Sequence, residues 1–110
     1  MADRLFVPLS TEPFIDFKHN GKQYEVRSCE RGFSEKFVYS GRRVEIRKGY
    51  SGESLWGVVG KVYTGSLEEI FSKVDYRLVE PMSGSLEDAV YENITILGKK
   101  QKYIAFEVIF

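Results

Sequence analysis

Cysteine, histidine and tryptophan are nearly missing from this chain, with one of each, and there are only three prolines. The single Cys29 has no partner for an internal disulfide. Together with the single His19, it cannot supply the Cys/His set of a zinc site. The same shortage excludes the Ser/His/Asp and Cys/His hydrolases unless His19 and Cys29 meet in the fold. No metal site and no cofactor-binding pattern is read. Apolar runs stay well short of a membrane span, so no membrane partner is expected. The start, Met-Ala-Asp-Arg-Leu-Phe, lacks the basic head and apolar core of a signal peptide, and a cytoplasmic protein is the expectation. No repeat, linker or low-complexity tract breaks the sequence.

What remains is an ordinary globular composition. The 110 residues are 43% hydrophobic and 29% charged, which argues for one folded domain spanning 1–110. Seven Tyr, eight Phe and one Trp favour strands and also offer stacking surfaces. Sixteen basic and sixteen acidic residues cancel, but they are not evenly spread. Between Lys18 and Lys48 nine bases face four acids, and the flanks are acidic. That segment forms either a positive patch able to hold a few phosphates or a strand pair compensated across a sheet.

The stretch Asn20-Gly21-Lys22-Gln23-Tyr24-Glu25-Val26-Arg27 concentrates the chemistry. Asn20 and Gly21 are a helix-ending, chain-reversing pair. The alternation after Lys22 is that of a strand, with Tyr24 and Val26 on one face and Gln23, Glu25 and Arg27 on the other. Lys22, Glu25 and Arg27 therefore arrive together, either as an ion pair on an exposed sheet face or as the lining of a site.

Before it, Leu5 to Leu9 reads as an edge strand because of Pro8. A helix follows, capped by Ser10 or Thr11, with Phe14, Ile15 and Phe17 as its apolar stripe. Ser28 to Lys36 has neither period and is a loop, a candidate lid. A second strand turns Val44 and Ile46 inward and Arg43, Glu45 and Arg47 outward. Leu55 to Tyr63 is expected as a central strand with a bulge or tight bend at one glycine. Its Trp56 is expected as a core anchor, with a base-stacking platform as the alternative. Ser66 and Glu69 form a capping box, and Ser85 with Asp88 opens a further helix through about Tyr91 that buries Leu86, Ala89 and Val90. Asn93-Ile94-Thr95 fits a glycosylation sequon that is idle without secretion. Tyr103 to Phe110, apolar on both faces apart from Glu107, reads as a well-covered strand. Short helices between strands and glycine-marked bends predict an α+β fold, a small curled or closed sheet with helices across its open ends.

Gly21, Lys22, Glu25 and Arg27, then Gly41 to Ile46 and the closing Tyr103 to Ile109, resemble the ASCH family of small PUA-like β-barrel domains over nearly the whole chain. The motif here has one residue fewer between its glycine and its arginine than the family pattern. The resemblance implies an ASCH-like β-barrel flanked by short helices, and RNA or nucleotide binding in a cleft lined by Lys22, Glu25 and Arg27. Single-stranded RNA or a nucleotide or nucleoside is the implied ligand. Arg43 on the neighbouring basic strand and Tyr103 as a stacking ring complete the expected binding set.

Some relatives resemble acetylcytidine amidohydrolases, which use a Lys, a Thr three residues later and a distant Glu. Lys22 and Glu80 match the first and last, but Glu25 stands at the threonine position and offers no hydroxyl nucleophile. The alternative reading is therefore a small hydrolase of RNA or a modified nucleoside, amidohydrolase or ribonuclease, with Lys22 and Glu25 or Glu80 in acid–base roles. A protein-interaction domain using an apolar surface is the third reading.

Overall fold

A computed structural model describes residues 4–100 and 102–110. Among these residues five strands make one sheet: β1 (Leu5–Leu9), β2 (Tyr24–Ser28), β3 (Arg43–Lys48), β4 (Ser54–Gly65) and β5 (Tyr103–Ile109). Three helices accompany it: α1 (Thr11–His19), α2 (Leu67–Phe71) and α3 (Leu86–Leu97). The spatial order is β1-β3-β4-β5-β2, with β1 parallel to β3 and every other pair antiparallel. β4 is central, as its long apolar run predicts.

The inner face of the sheet packs Val7, Val44, Ile46, Val59, Ile104 and Phe106 against Phe14 and Phe17 of α1. On the other face, Tyr24, Val26, Tyr103 and Ala105 pack against Leu67 and Ile70 of α2 and against Val74 and Val79. From Tyr103 to Phe106 β5 is thus covered on both sides, in keeping with an apolar pattern that only Glu107 interrupts. The second cluster covers the β5–β2 half of that outer face, whereas Trp56 and Val58 on β4 remain exposed.

Local rules explain the elements. Ser66 accepts from the Glu69 amide while Glu69 accepts from the Ser66 amide, the reciprocal cap read from sequence. Ser85 caps α3 by accepting from the Asp88 amide. α3 runs past Tyr91 to Leu97, burying Ala89 and Asn93, whereas Leu86 is exposed. Asn93 donates to the Ala89 carbonyl from a buried helical position, so its sequon is not presented to solvent. The register of β4 against β5 shifts between Val59 and Val62, which is the expected bulge. Gly57 is fixed by close approach: a Cβ there would lie 2.6 Å from the Ile109 carbonyl oxygen.

Four expectations are corrected. The ladders do not close into a barrel: β1 and β2 are the edges among the described residues, and Pro8 has no N–H to offer the gap. Ser28 to Lys36 is not a free lid, because a 3₁₀ turn at Arg31–Phe33 stacks Phe33 on Phe106 at 6.3 Å. Glu45 faces away from the inner core but is only 1% exposed, because Arg4, Arg47 and Ser54 close over it. Trp56 is 48% exposed, with the Arg43 guanidinium 5.0 Å from its ring centroid, and is not a core anchor.

At Gly60 the atoms nearest an added Cβ belong to the Glu107 and Ile109 side chains, whereas at Gly57 the nearest is the Ile109 backbone. Gly57→Ala is therefore expected to cost about 1–3 kcal/mol and Gly60→Ala less, as read by urea denaturation; equal costs would contradict the close-approach account.

Candidate functional site

α1 ends where the backbone turns through Gly21 at φ +82°. The Asp16 carbonyl accepts from the amides of both Asn20 and Lys22, and the Asn20 side-chain amide donates to Oδ1 of Asp16. This knot turns Lys22 into the protein. Its ammonium is 5.1 Å from the Phe17 ring centroid and donates to the Val79 carbonyl at 2.6 Å. It also pairs with Oε1 of Glu25 at 3.3 Å. The other carboxylate oxygen of Glu25 accepts from Nε of Arg27 at 2.6 Å. Arg27 in turn donates to the Pro8 carbonyl at 2.9 Å, bridging the two sheet edges where no ladder joins them.

Lys22 and Glu25 are 5% and 7% exposed, which overturns the solvated-face alternative. Burial alone would push the Glu25 carboxyl up, but the charges and hydrogen bonds of Lys22 and Arg27 win and hold it below the usual carboxylate range.

Above this chain of charges lies a cleft of about 470 Å³. Pro8 and Leu9 of β1, the first half of α1 and the second half of α3 form its walls, with Lys22, Glu25, Val26 and Arg27 along β2. Glu80 also lines it. Desolvation, reinforced by Glu92, Glu25 and Asp16, raises the Glu80 carboxyl to about 7 against the pull of Lys22. An adjoining hollow of about 460 Å³ shares Glu12, Asp16, Glu80 and Glu92 with the cleft. Five carboxylates line the main cleft (Glu12, Asp16, Glu25, Glu80 and Glu92) against two cations, Lys22 and Arg27. The lining is acidic, even though its sequence neighbourhood is basic.

The structure brings together Lys22, Glu25, Arg27 and Glu80 of the residues singled out in the sequence. Arg43 and Tyr103 lie elsewhere. Arg43 stands on the outer face of the sheet over Trp56. Tyr103 is buried, its hydroxyl donating to the Gly98 carbonyl and accepting from the Lys100 amide, so it fixes the turn between α3 and β5 instead of stacking a ligand. Asp16, Glu92 and Asn93 were missed. The signals were there: Asp16 sits four residues before Asn20 on a helix, and Asn93 follows Ala89 by the same spacing on the buried face of α3.

No family model and no curated protein matches the sequence. Solved structures do match. The crystal structure of a hypothetical protein, PH0355, superposes with a TM-score of 0.76 at 20% identity, over 94% of this chain and 95% of that one. ASCH from Zymomonas mobilis gives 0.66 at 14% identity, over 96% of this chain and 66% of its own. A point mutant of that protein gives 0.63 at 13%, over 96% and 68%. The chain has an ASCH-like fold. It spans about two thirds of the length of the Zymomonas proteins. In this ASCH-like chain, no helix among the described residues is long and apolar enough to cross a membrane.

Glu80 gives the site a pH signature. Its folded-state value, about 7, lies above the ordinary 4.5, so the folded protein holds the proton more tightly than the unfolded chain. The associated stabilisation is complete below about pH 4.5 and is lost as pH rises to about 7. Glu80→Gln removes that loss. The stability of the variant relative to wild type is expected to rise between pH 5 and pH 8 by on the order of 1 kcal/mol after solvent screening, measured by denaturation at each pH. A difference that stays flat with pH would contradict the assignment.

Proposed function

We propose that this chain binds a nucleoside unit, free or at an exposed position of single-stranded RNA, in the cleft above Lys22, Glu25 and Arg27. The observation that carries the reading is the buried Lys22–Glu25 pair, extended by the half-buried Arg27, lining an open cleft of nucleoside size. An ammonium has three donors. Val79 and Glu25 take two of those on Lys22, leaving one for a guest carbonyl or hydroxyl. Glu92 and Asn93 on the α3 wall offer an acceptor and an amide to a base edge. The ASCH-like fold is in keeping with an RNA-associated role.

The acidic lining refines the ligand. A phosphate would enter against an excess of three negative charges when every carboxylate is ionised, whereas a base and ribose would not. The ligand therefore presents its uncharged end to the cleft and keeps its phosphates outside.

A second reading, hydrolysis of a modified nucleoside, is favoured by Glu80. A carboxyl titrating near 7 beside a buried ammonium is suited to moving a proton to and from a leaving amine at neutral pH. Glu25, committed to two cations, is the positioning group in that scheme.

Calorimetric titration with cytidine, uridine and their 5′-monophosphates tests the first reading. Nucleosides are expected to bind on the order of tenfold more tightly than the monophosphates. Lys22→Ala is expected to abolish the signal. Monophosphates binding as well as nucleosides, or an unaffected Lys22→Ala protein, would sink it. The same samples given N4-acetylcytidine decide the second reading: deacetylation by wild type that disappears in Glu80→Gln supports it, and the absence of product from wild type removes it.

A further inference from the structure

The open half of the outer sheet face carries chemistry that the cleft does not use. Register places Phe6 of β1, Glu45 of β3 and Trp56 of β4 in one row across the sheet. The two rings are therefore two strand spacings apart, roughly 10 Å. Arg4 and Arg47 cover Phe6 at 5.3 and 4.9 Å from its ring centroid, and both are tied to the buried Glu45. Tyr50, 77% exposed, lies 6.2 Å from Phe6. Arg43 stands over Trp56 and forms no ion pair among the described residues. None of these residues lines the cleft.

Among the described residues along the Phe6–Glu45–Trp56 row, three guanidinium groups stand against the Glu45 carboxylate, an excess of two positive charges. Arg47 spends its donors on Glu45, Ser54 and the Tyr50 carbonyl, which fixes the turn that carries Tyr50. Among the described residues Arg4 is held by Nε alone, which leaves the rest of its guanidinium to meet a ligand. An indole half in water beneath a guanidinium is unlike the usual fate of tryptophan. An apolar protein partner would have to desolvate the arginines. A polyanion carrying flat rings satisfies both sets of groups at once, because bases stack on aromatic side chains and guanidinium groups meet phosphates.

We propose that this outer face binds single-stranded nucleic acid, with bases stacked on Trp56 and Tyr50 and phosphates held by Arg4 and Arg43. The face and the cleft are separate sites with opposite charge.

Trp56 is the chain's only tryptophan, so its fluorescence reports on this face alone. Decamers of uridylate and of thymidylate, titrated into the full chain at 50 mM salt, are expected to quench Trp56 emission saturably. Affinity is expected to fall roughly sevenfold at 200 mM salt, as neutralising about two phosphates of a single strand requires. By anisotropy of labelled decamers, Arg43→Ala and Trp56→Ala are each expected to weaken binding about tenfold, and Trp56→Phe, which keeps a ring, by less. These are surface positions, and circular dichroism checks that the fold is retained. Absence of quenching, or unchanged affinity in both alanine variants, overturns the proposal. So does a concentration-dependent dimer in sedimentation that Trp56→Ala dissolves, since the face would then serve a second copy of the chain.

Discussion

The buried pairing of Lys22 with Glu25, continued by Arg27, is the constraint around which the other features arrange themselves. Desolvating an ammonium and a carboxylate costs several kcal/mol each, and their attraction repays this only when every remaining donor and acceptor is met. The chain meets most of that condition with backbone from distant segments: the Val79 carbonyl accepts from Lys22 and the Pro8 carbonyl from Arg27, and one Lys22 donor is left toward the cleft. The segment after α2 and the edge strand β1 are thereby drawn to the same spot. Arg27 does at the seam what a strand ladder does elsewhere, joining β1 to β2 while leaving room beside them. The sheet stays open there, and the cleft occupies the opening.

A net charge of zero conceals a division of labour. The basic excess between Lys18 and Lys48 does not gather into the cleft. Lys18 pairs with Glu53, Lys22 and Arg27 with Glu25, and Arg47 with Glu45, while Arg43 faces outward over Trp56. The cleft is acidic because α1, α3 and the Glu80 segment, which come from the acid-rich flanks, supply its walls. The outer face keeps the arginines and the exposed rings. Two surfaces of opposite sign therefore lie on one small sheet.

Features set by neighbours in sequence were legible before the fold. The Ser66–Glu69 cap, the glycine-marked bulge of β4, the doubly covered β5 and the convergence of Lys22, Glu25 and Arg27 all follow from spacing alone. Features set by register were not. Glu45 reads as an outward charge in a period-two strand, and only the pairing of β1 with β3 brings Arg4 over it from 41 positions away. Trp56 reads as core because indoles usually are, yet its row of the sheet is not reached by α2 or α3. Tyr103 reads as a stacking ring, but its hydroxyl is committed to Gly98. The acidity of the cleft depends on α3 continuing beyond Tyr91, because Glu92 and Asn93 lie on that added length.

Replacing the buried pair with apolar side chains separates its role in holding the fold from its role in holding a guest. For the double variant Lys22→Met, Glu25→Leu, the account predicts a cooperatively melting protein with a midpoint below that of wild type, because packed hydrocarbon replaces the pair while Arg27 and the Val79 carbonyl each lose a partner. It also predicts that saturating cytidine or uridine, which raises the wild-type midpoint, no longer does so. A double variant whose midpoint still rises with nucleoside as in wild type would contradict the central claim.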